Sequence, residues 1–420
     1  MIIFVAALIF LLAIGTPIFV ALGLGSIVLW FTAYSTVNPV MLFQKMFTGM
    51  DNFALMAIPF FMLAGELMNT GGLSKRLVGF AQKVLGWIPG GLGFSTVLAS
   101  MFIAAILGSA SASAAMIGMV MIPEMTKRGY KIDYSAGLVA SAGSIGPIIP
   151  PSIPLIIYGV IAQQSIVKLF TVGYLPGIGM GLLFMVYNYI YARKEGYPSE
   201  PRPTLGEFGV AFGRAFLTLL LPVIIMGGIL GGVFTATEAG VVAVFYAALL
   251  GVVVYREIKV SSLPGILIRA GKNSAMILMV MAVAAYLSWV LTMQRIPQNV
   301  TSGIISYTTS PIVFLLAINA LMIIVGMFLD AASALTIMTP VLLPAVIAMK
   351  INPILFGVMM AVNLSIGVLT PPVGLNLYVT AGIAKIGIMR ISKAVIPFII
   401  QIIIILILMT YFPNMFTFMI

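Results

Sequence analysis

The residues of this chain whose types and spacing best suit chemistry lie in two short stretches rich in glycine and proline. SIGPIIPPS occupies 144–152 and SIGVLTPPV occupies 365–373. In each, a tandem proline, Pro150-Pro151 or Pro371-Pro372, removes two backbone donors and stops a helix. Carbonyl oxygens in the preceding turn then lose their partners, and Gly146 and Gly367 let the chain unwind at low steric cost. Free carbonyls clustered at mid-membrane depth suit a hard cation such as sodium. Thr370 adds a hydroxyl to the second cluster. Upstream of the two lie GSASASAA at 108–115 and GMFLDAAS at 326–333. Each reads as a hairpin tip that completes the cation site beside it.

Other polar residues divide between chemistry and architecture. The Ser-Ala run, with Ser111 and Ser113, serves either close helix packing or direct ligation. Asp330 is a costly carboxylate inside an apolar stretch and either touches an ion or, the favoured reading, caps a half-helix at the tip. Glu238 follows Thr235 at capping-box spacing, and Glu66 stands near a helix end before a Gly-Gly stop. Two half-helix N-termini meeting near the centre attract an anion. Few basic side chains occupy the inner segments, so helix ends, hydroxyls and amides must hold it. Ser111, Ser113, Asn363 and Asn376 are the candidate substrate ligands.

Several chemistries are excluded. The chain has no Cys and no His, which removes disulfides, thiolate nucleophiles, histidine-bound zinc or haem and Ser-His-Asp triads. No paired catalytic carboxylates are present, so the chain reads as no enzyme, with no cofactor. The net charge of +11 is carried in short connections between apolar segments, not on a soluble face. That distribution fits the positive-inside rule and excludes a nucleic-acid partner.

The elements that must position these residues are membrane spans. Of the 420 residues 62% are apolar and 7% charged, against about a quarter charged in a soluble domain. At about 20 apolar residues per crossing, the chain holds roughly a dozen crossings or part-crossings. The whole of 1–420 reads as one membrane domain in a lipid bilayer, with no soluble domain or long linker. Residues 2–34, interrupted at Gly15-Thr16-Pro17, form either one kinked span or two short ones and read as retained, not as a signal peptide.

Five basic connections fix the threading: Lys75, Arg76 and Lys83; Lys127, Arg128 and Lys131; Arg193, Lys194 and Arg202; Arg256, Lys259, Arg269 and Lys272; and Lys385, Arg390 and Lys393. All are assigned to the cytoplasm. Residues 91–126 are too long for one span and start and end on that side, so they read as a re-entrant hairpin. Residues 135–162 then cross as a broken helix and 171–192 return. Residues 214–255 form an intervening out-and-back pair of scaffold helices, and 274–294 cross outward to Arg295 and Pro297. Residues 311–349 read as a second hairpin entering from outside, 352–382 as a second broken helix, and 394–412 as the last span.

At one constant offset the two Ser-Ile-Gly texts align, Pro123 meets Pro344, and Ala140 meets Ala361. Residues 54–192 and 274–412 are therefore two repeats, and the threading places their hairpins on opposite sides. The expected fold is an all-α polytopic membrane protein with an inverted-topology repeat, two re-entrant hairpins and two broken helices. That pattern belongs to secondary transporters. It suits alternating access better than an open pore.

The strings IPFFMLAGELM, IPEMTKRGY, SIGPIIPPSIPLIIYG, TEAGVVAVFYAALL, GMFLDAASALTIMTPVLLP and SIGVLTPPVGLNLYV, in this order over nearly the whole chain, resemble the large membrane subunit of tripartite ATP-independent periplasmic (TRAP) transporters. The resemblance implies a protein of the bacterial inner membrane that uses a sodium gradient to import a small organic acid anion, of the C4-dicarboxylate or sialic-acid class. It implies two partners, a small four-helix membrane subunit and a periplasmic binding protein that delivers the substrate. It implies an elevator: a fixed scaffold and a mobile transport domain that carries both hairpins and both broken helices. The family's sodium sites fall on Ser109, Gly146, Ile149 and Pro151, and on Gly326, Gly367, Thr370 and Val373, mostly through backbone carbonyls. One departure is Leu107-Gly108-Ser109 where the family often has Ser-Gly-Ser, which removes a hydroxyl at 107. The alternative is a stand-alone sodium-coupled dicarboxylate carrier of related fold.

Overall fold

The computed structural model describes residues 7, 10, 11, 14–33 and 40–420. Among them the secondary structure is entirely helical. Seven helical segments are long and apolar enough to cross a membrane. Most of the N-terminal half of the expected 2–34 segment lies outside the described residues, so its one-span or two-span reading does too. Its described part is a turn at Gly15 followed by α1, Ile18–Ala33.

The helices follow in order. After α1 come α2 (Val40–Met50), α3 (Ala57–Thr70), α4 (Leu73–Leu85), α5 (Gly91–Leu107) and α6 (Ala110–Lys127). Then come α7 (Ile132–Gly143), α8 (Ile153–Ile161), α9 (Ile166–Glu195), α10 (Leu205–Leu230) and α11 (Ala236–Ala248). The rest are α12 (Leu263–Met293), α13 (Ile296–Tyr307), α14 (Pro311–Gly326), α15 (Ala331–Ala348), α16 (Pro353–Gly367), α17 (Leu375–Ala384) and α18 (Ile388–Tyr411).

The sequence duplication is also a structural one. Helices α6 and α15 are each 18 residues long and begin at the offset that separates the two Ser-Ile-Gly texts. In each half a helix pair meets at a short tip, and a second pair is split by the Gly-Pro text. The 17 residues of α5 span only about 26 Å at 1.5 Å per residue, short of a bilayer core about 30 Å thick.

Two bodies of helices pack together. In one, α12 lies against α1, α2 and α3, and α3 packs on α11, which packs on α10. The other gathers α5 to α9 with α14 to α18. Helix α4 lies between the two, against α5 and α10, and α13 packs against both α15 and α12. Helix α12 starts at Leu263, so Arg269 and Lys272 stand on its first turns and not in a loop. Arg269 donates to Glu66 of α3 at 2.9 Å, giving that carboxylate a partner.

Helices α7 and α16 form the centre of the second body. Every residue from Tyr134 to Gly143 and from Ile354 to Gly367 is buried. Small residues make this possible: Gly137 faces Ala394 of α18, and Gly143 faces Ala114 of α6. Asn188 of α9, fully buried, ties the body together below. Its amide donates to the Gly90 carbonyl at 3.1 Å, and its oxygen accepts from the Tyr134 hydroxyl at 2.8 Å.

Ion pairs collect all five basic connections on one face. Arg76 meets Glu257 at 2.7 Å and Lys83 meets Glu207 at 3.9 Å. Arg128 meets Glu200 at 3.5 Å, Lys131 meets Glu195 at 2.7 Å, and Arg390 meets Asp133 at 2.8 Å. The hydrogen bond to Glu195 raises the pKa of the Lys131 amine. Solvent-exposed pairs of this kind stabilise by at most about 1 kcal/mol each. Their value is topological, because chain segments far apart in sequence must share one side to make them.

Candidate cation and anion site

Each tip touches the break beside it. Gly108 ends α5 with φ 58°, a left-handed conformation that suits glycine. A methyl added to it would lie 2.8 Å from the Pro151 carbonyl oxygen and 2.9 Å from the Ile153 nitrogen. Gly146 is packed as closely on Ser109, and Gly367 lies against the backbone of Gly326. The Val373 amide donates to the Met327 carbonyl at 3.3 Å. Ser109, Gly146 and Pro151 are thus gathered at one junction. Gly326, Gly367 and Val373 are gathered at the other. Ile149 belongs to the first break, but its side chain packs against Gly177 of α9.

The breaks leave carbonyls unpaired, for the reason that proline dictates. Pro150 has no N–H to give Gly146, and Pro151 has none for Pro147. The Ser152 hydroxyl donates to the Pro147 carbonyl instead, in a short hydrogen bond. Among the described residues no donor reaches the carbonyls of Gly146, Ile149 or Pro151. In the second break the same holds for Gly326, Thr370 and Val373. The carbonyls of Ser109 and Gly367 each accept one amide, from Ser113 at 3.1 Å and Thr370 at 3.0 Å, which leaves each a second lone pair. A buried carbonyl without a partner costs about 1–3 kcal/mol, so the four on the buried residues Gly146, Ile149, Pro151 and Gly326 require an explanation, while Thr370 and Val373 are partly exposed. Coordination of a hard cation supplies one. The Thr370 hydroxyl donates to Ile366 at 2.8 Å and keeps its lone pairs for a ligand. Both tandem prolines are joined by cis bonds.

The two tips differ chemically at matching positions. Asp330 caps α15, accepting from the amides of Ala332 at 3.0 Å and Ser333 at 3.3 Å. The Ser333 hydroxyl donates to the same carboxylate at 2.5 Å. Ser109 occupies the equivalent place before α6 and makes no side-chain cap bond. The first amides of α6 therefore lack the partner that Asp330 gives α15. Glu238 is likewise a cap, in a capping box with Thr235.

Both tips line adjoining cavities of about 110 and about 620 Å³ between the two bodies. Ser109, Ser111 and Asp330 face them from the tips, and Met62, Asn273 and Ile277 border them from α3 and α12. A third cavity of about 190 Å³ continues from Ser109 toward Glu66 and Asn69. Of the other candidate substrate ligands, Ser113 is fully buried on α6 with its hydroxyl unpartnered. Asn363 donates to Asn319 at 2.8 Å and to Met359 at 3.0 Å, inside the packing of α16 against α14. Asn376 donates to the Ala140 carbonyl at 2.8 Å, linking the two broken helices. None of these three borders the cavities. The α12 and α3 residues that do border them carry no sequence signal of their own. They become visible only when α12 lies across the tips.

Comparison with known proteins agrees with this architecture. Residues 5–415 match the family described as tripartite ATP-independent periplasmic transporter, DctM component. The isethionate TRAP transporter permease protein DctMQ of Oleidesulfovibrio alaskensis is 42% identical over 403 residues, which cover 96% of this chain and 63% of that protein. The C4-dicarboxylate TRAP transporter large permease protein DctM of Pseudomonas aeruginosa is 40% identical, covering 88% of this chain and 86% of its own. The 2,3-diketo-L-gulonate TRAP transporter large permease protein YiaN of Escherichia coli is 40% identical, covering 98% of this chain and 97% of its own. The crystal structure of the Alcanivorax borkumensis YdaH transporter, which has an unusual topology, shares the fold with a TM-score of 0.67. It covers 94% of this chain and 97% of its own at 14% identity.

Proposed function

We propose, because this chain belongs to the tripartite ATP-independent periplasmic transporter family as its DctM component, that it carries a small organic acid anion into the cell on a sodium gradient. The chain is a multi-pass protein of the bacterial inner membrane and a transporter permease, not an enzyme. The single observation that carries sodium coupling is the set of unpartnered carbonyls at Gly146, Ile149, Pro151, Gly326, Thr370 and Val373. Six oxygens at two related junctions, each beside a hairpin tip, form neutral oxygen sets of the kind that suits monovalent cations.

The anion sits in the cavity between the tips, against the uncapped start of α6 and the Ser111 hydroxyl. Its charge is held by helix-end amides. Relatives about 40% identical are named for isethionate, a C4-dicarboxylate and 2,3-diketo-L-gulonate. Substrate choice thus varies at this level of identity, and the reading stops at a small organic anion, with the C4-dicarboxylate and sialic-acid classes foremost.

Transport follows by movement of the body that carries α5 to α9 and α14 to α18 past the one built on α12. The re-entrant, oppositely oriented hairpins travel with their breaks. Helices α4 and α13, which touch both bodies, are the connecting arms. The chain works with a small membrane subunit and a periplasmic binding protein. The relative DctMQ, of which this chain spans 63%, supports the first partner. Reconstitution of the chain with both partners in liposomes tests the reading. Uptake should require an inward sodium gradient, and uptake indifferent to sodium sinks it.

A further inference from the structure

A separate cavity, of about 730 Å³, lies away from the tips between α4 and α10. We propose that it holds the phosphate headgroup of an anionic glycerophospholipid from the cytoplasmic leaflet.

The charges on its wall are unbalanced. Lys75, Arg76, Lys83 and Arg214 face it, and Glu257 is the one acid among its lining residues. Glu257 is already engaged by Arg76 at 2.7 Å, and the Arg76 guanidinium also donates to Gly72 and lies 3.7 Å from the centre of the Tyr255 ring. Lys83 has only a 3.9 Å approach to Glu207. The side chains of Lys75 and Arg214 take part in no ion pair or hydrogen bond among the described residues. Arg214 stands nine residues into α10, about 14 Å along its axis at 1.5 Å per residue. The apolar span of α10 begins at this residue, so Arg214 stands at headgroup level, within reach of a lipid phosphate.

The shape and the surroundings fit a lipid. Helix α4 is amphipathic: Leu73, Leu77, Val78 and Ala81 are buried and its basic residues lie on the opposite side. Such a helix lies in the plane of the interface, where headgroups are. The outer face of α10 exposes Phe212 and Phe216, and α10 is the least buried of the seven spanning segments, so acyl chains can lie against it. The floor is open at Gly79 and Gly213, where an added methyl would meet nothing within 4 Å. Basic pockets between helices on the cytoplasmic side take phosphate headgroups by this combination of charge and apolar wall.

Native mass spectrometry of the purified chain tests the assignment. The probe is mixed micelles of equal parts phosphatidylcholine and phosphatidylglycerol. Wild-type chain should retain phosphatidylglycerol in preference to phosphatidylcholine. The Lys75→Gln, Arg214→Gln double variant should retain about twenty-fivefold less, at about fivefold per basic residue. Gly79→Leu, which keeps every charge and fills the floor, should also lose the lipid. Lys127→Gln, on the same face but outside the cavity, should behave as wild type. Unchanged elution on gel filtration confirms that each variant is folded. Equal retention by the double variant overturns the proposal. So does complete displacement by millimolar inorganic phosphate, which makes this a small-anion site, or displacement of the lipid by the small membrane subunit, which makes it a protein interface.

Discussion

Gly146 lies so close to Ser109 that a methyl on the glycine would sit 2.6 Å from the serine carbonyl oxygen. That contact joins the tip of α5 and α6 to the break between α7 and α8. It brings a tip carbonyl and a break carbonyl to one point, which neither element does alone. Gly146→Ala should push the two apart at a cost of about 1–3 kcal/mol, as overpacking does. Expressed at the cation site, this is about tenfold or more in the sodium concentration for half-maximal uptake. Sodium titration of uptake by reconstituted protein measures it, and an unshifted curve would show that the junction is packing alone.

Thr370 differs from its carbonyl neighbours in offering a side chain. Its hydroxyl donates to Ile366, so its oxygen is oriented and its lone pairs are free. Thr370→Ala should weaken sodium dependence without preventing folding, and Thr370→Ser should restore it. The comparison is read from sodium activation curves beside expression and gel-filtration profiles. An alanine variant with the wild-type curve would confine Thr370 to a structural role.

Asp330 separates capping from ion binding. Asn caps as well as Asp, while Ala costs about 1 kcal/mol at such a position. Asp330→Asn should therefore keep both thermal stability and sodium-driven uptake, and Asp330→Ala should lower the melting temperature. Loss of uptake in the stable Asn variant would mean that the charge itself serves transport.

Asn188 is a purely architectural prediction. Replacing it with Leu strands the Tyr134 hydroxyl and the Gly90 carbonyl in a buried site. Two stranded groups cost about 2–6 kcal/mol together. The variant should unfold at a clearly lower temperature in detergent, by fluorescence-detected gel filtration. A melting temperature equal to wild type would show that water reaches both groups.

Much of this is legible in the sequence, for a physical reason. Proline and glycine act on their own backbone, so the breaks at 144–152 and 365–373 and their orphaned carbonyls follow from local chemistry. Capping is also local: Glu238 is readable from its spacing to Thr235, and Asp330 from its place at a hairpin tip. The roles of Asn363 and Asn376 are not. Both read as ligands because they are polar and stand near the breaks, but their partners, Asn319 and the Ala140 carbonyl, lie far off in sequence. The cavity wall on α12 escaped notice for the same reason. Asn273 and Ile277 look like any other residues of a span until packing sets them opposite the tips.

The central claim is that sodium passes through the carbonyl junctions together with the anion. It is tested most directly by counting radiolabelled sodium and radiolabelled substrate in the same proteoliposomes, with wild type and Gly146→Ala. The expected result is a fixed ratio of sodium to substrate entering with wild type, and a parallel fall of both fluxes in the variant. Substrate that accumulates with no accompanying sodium flux would contradict the account.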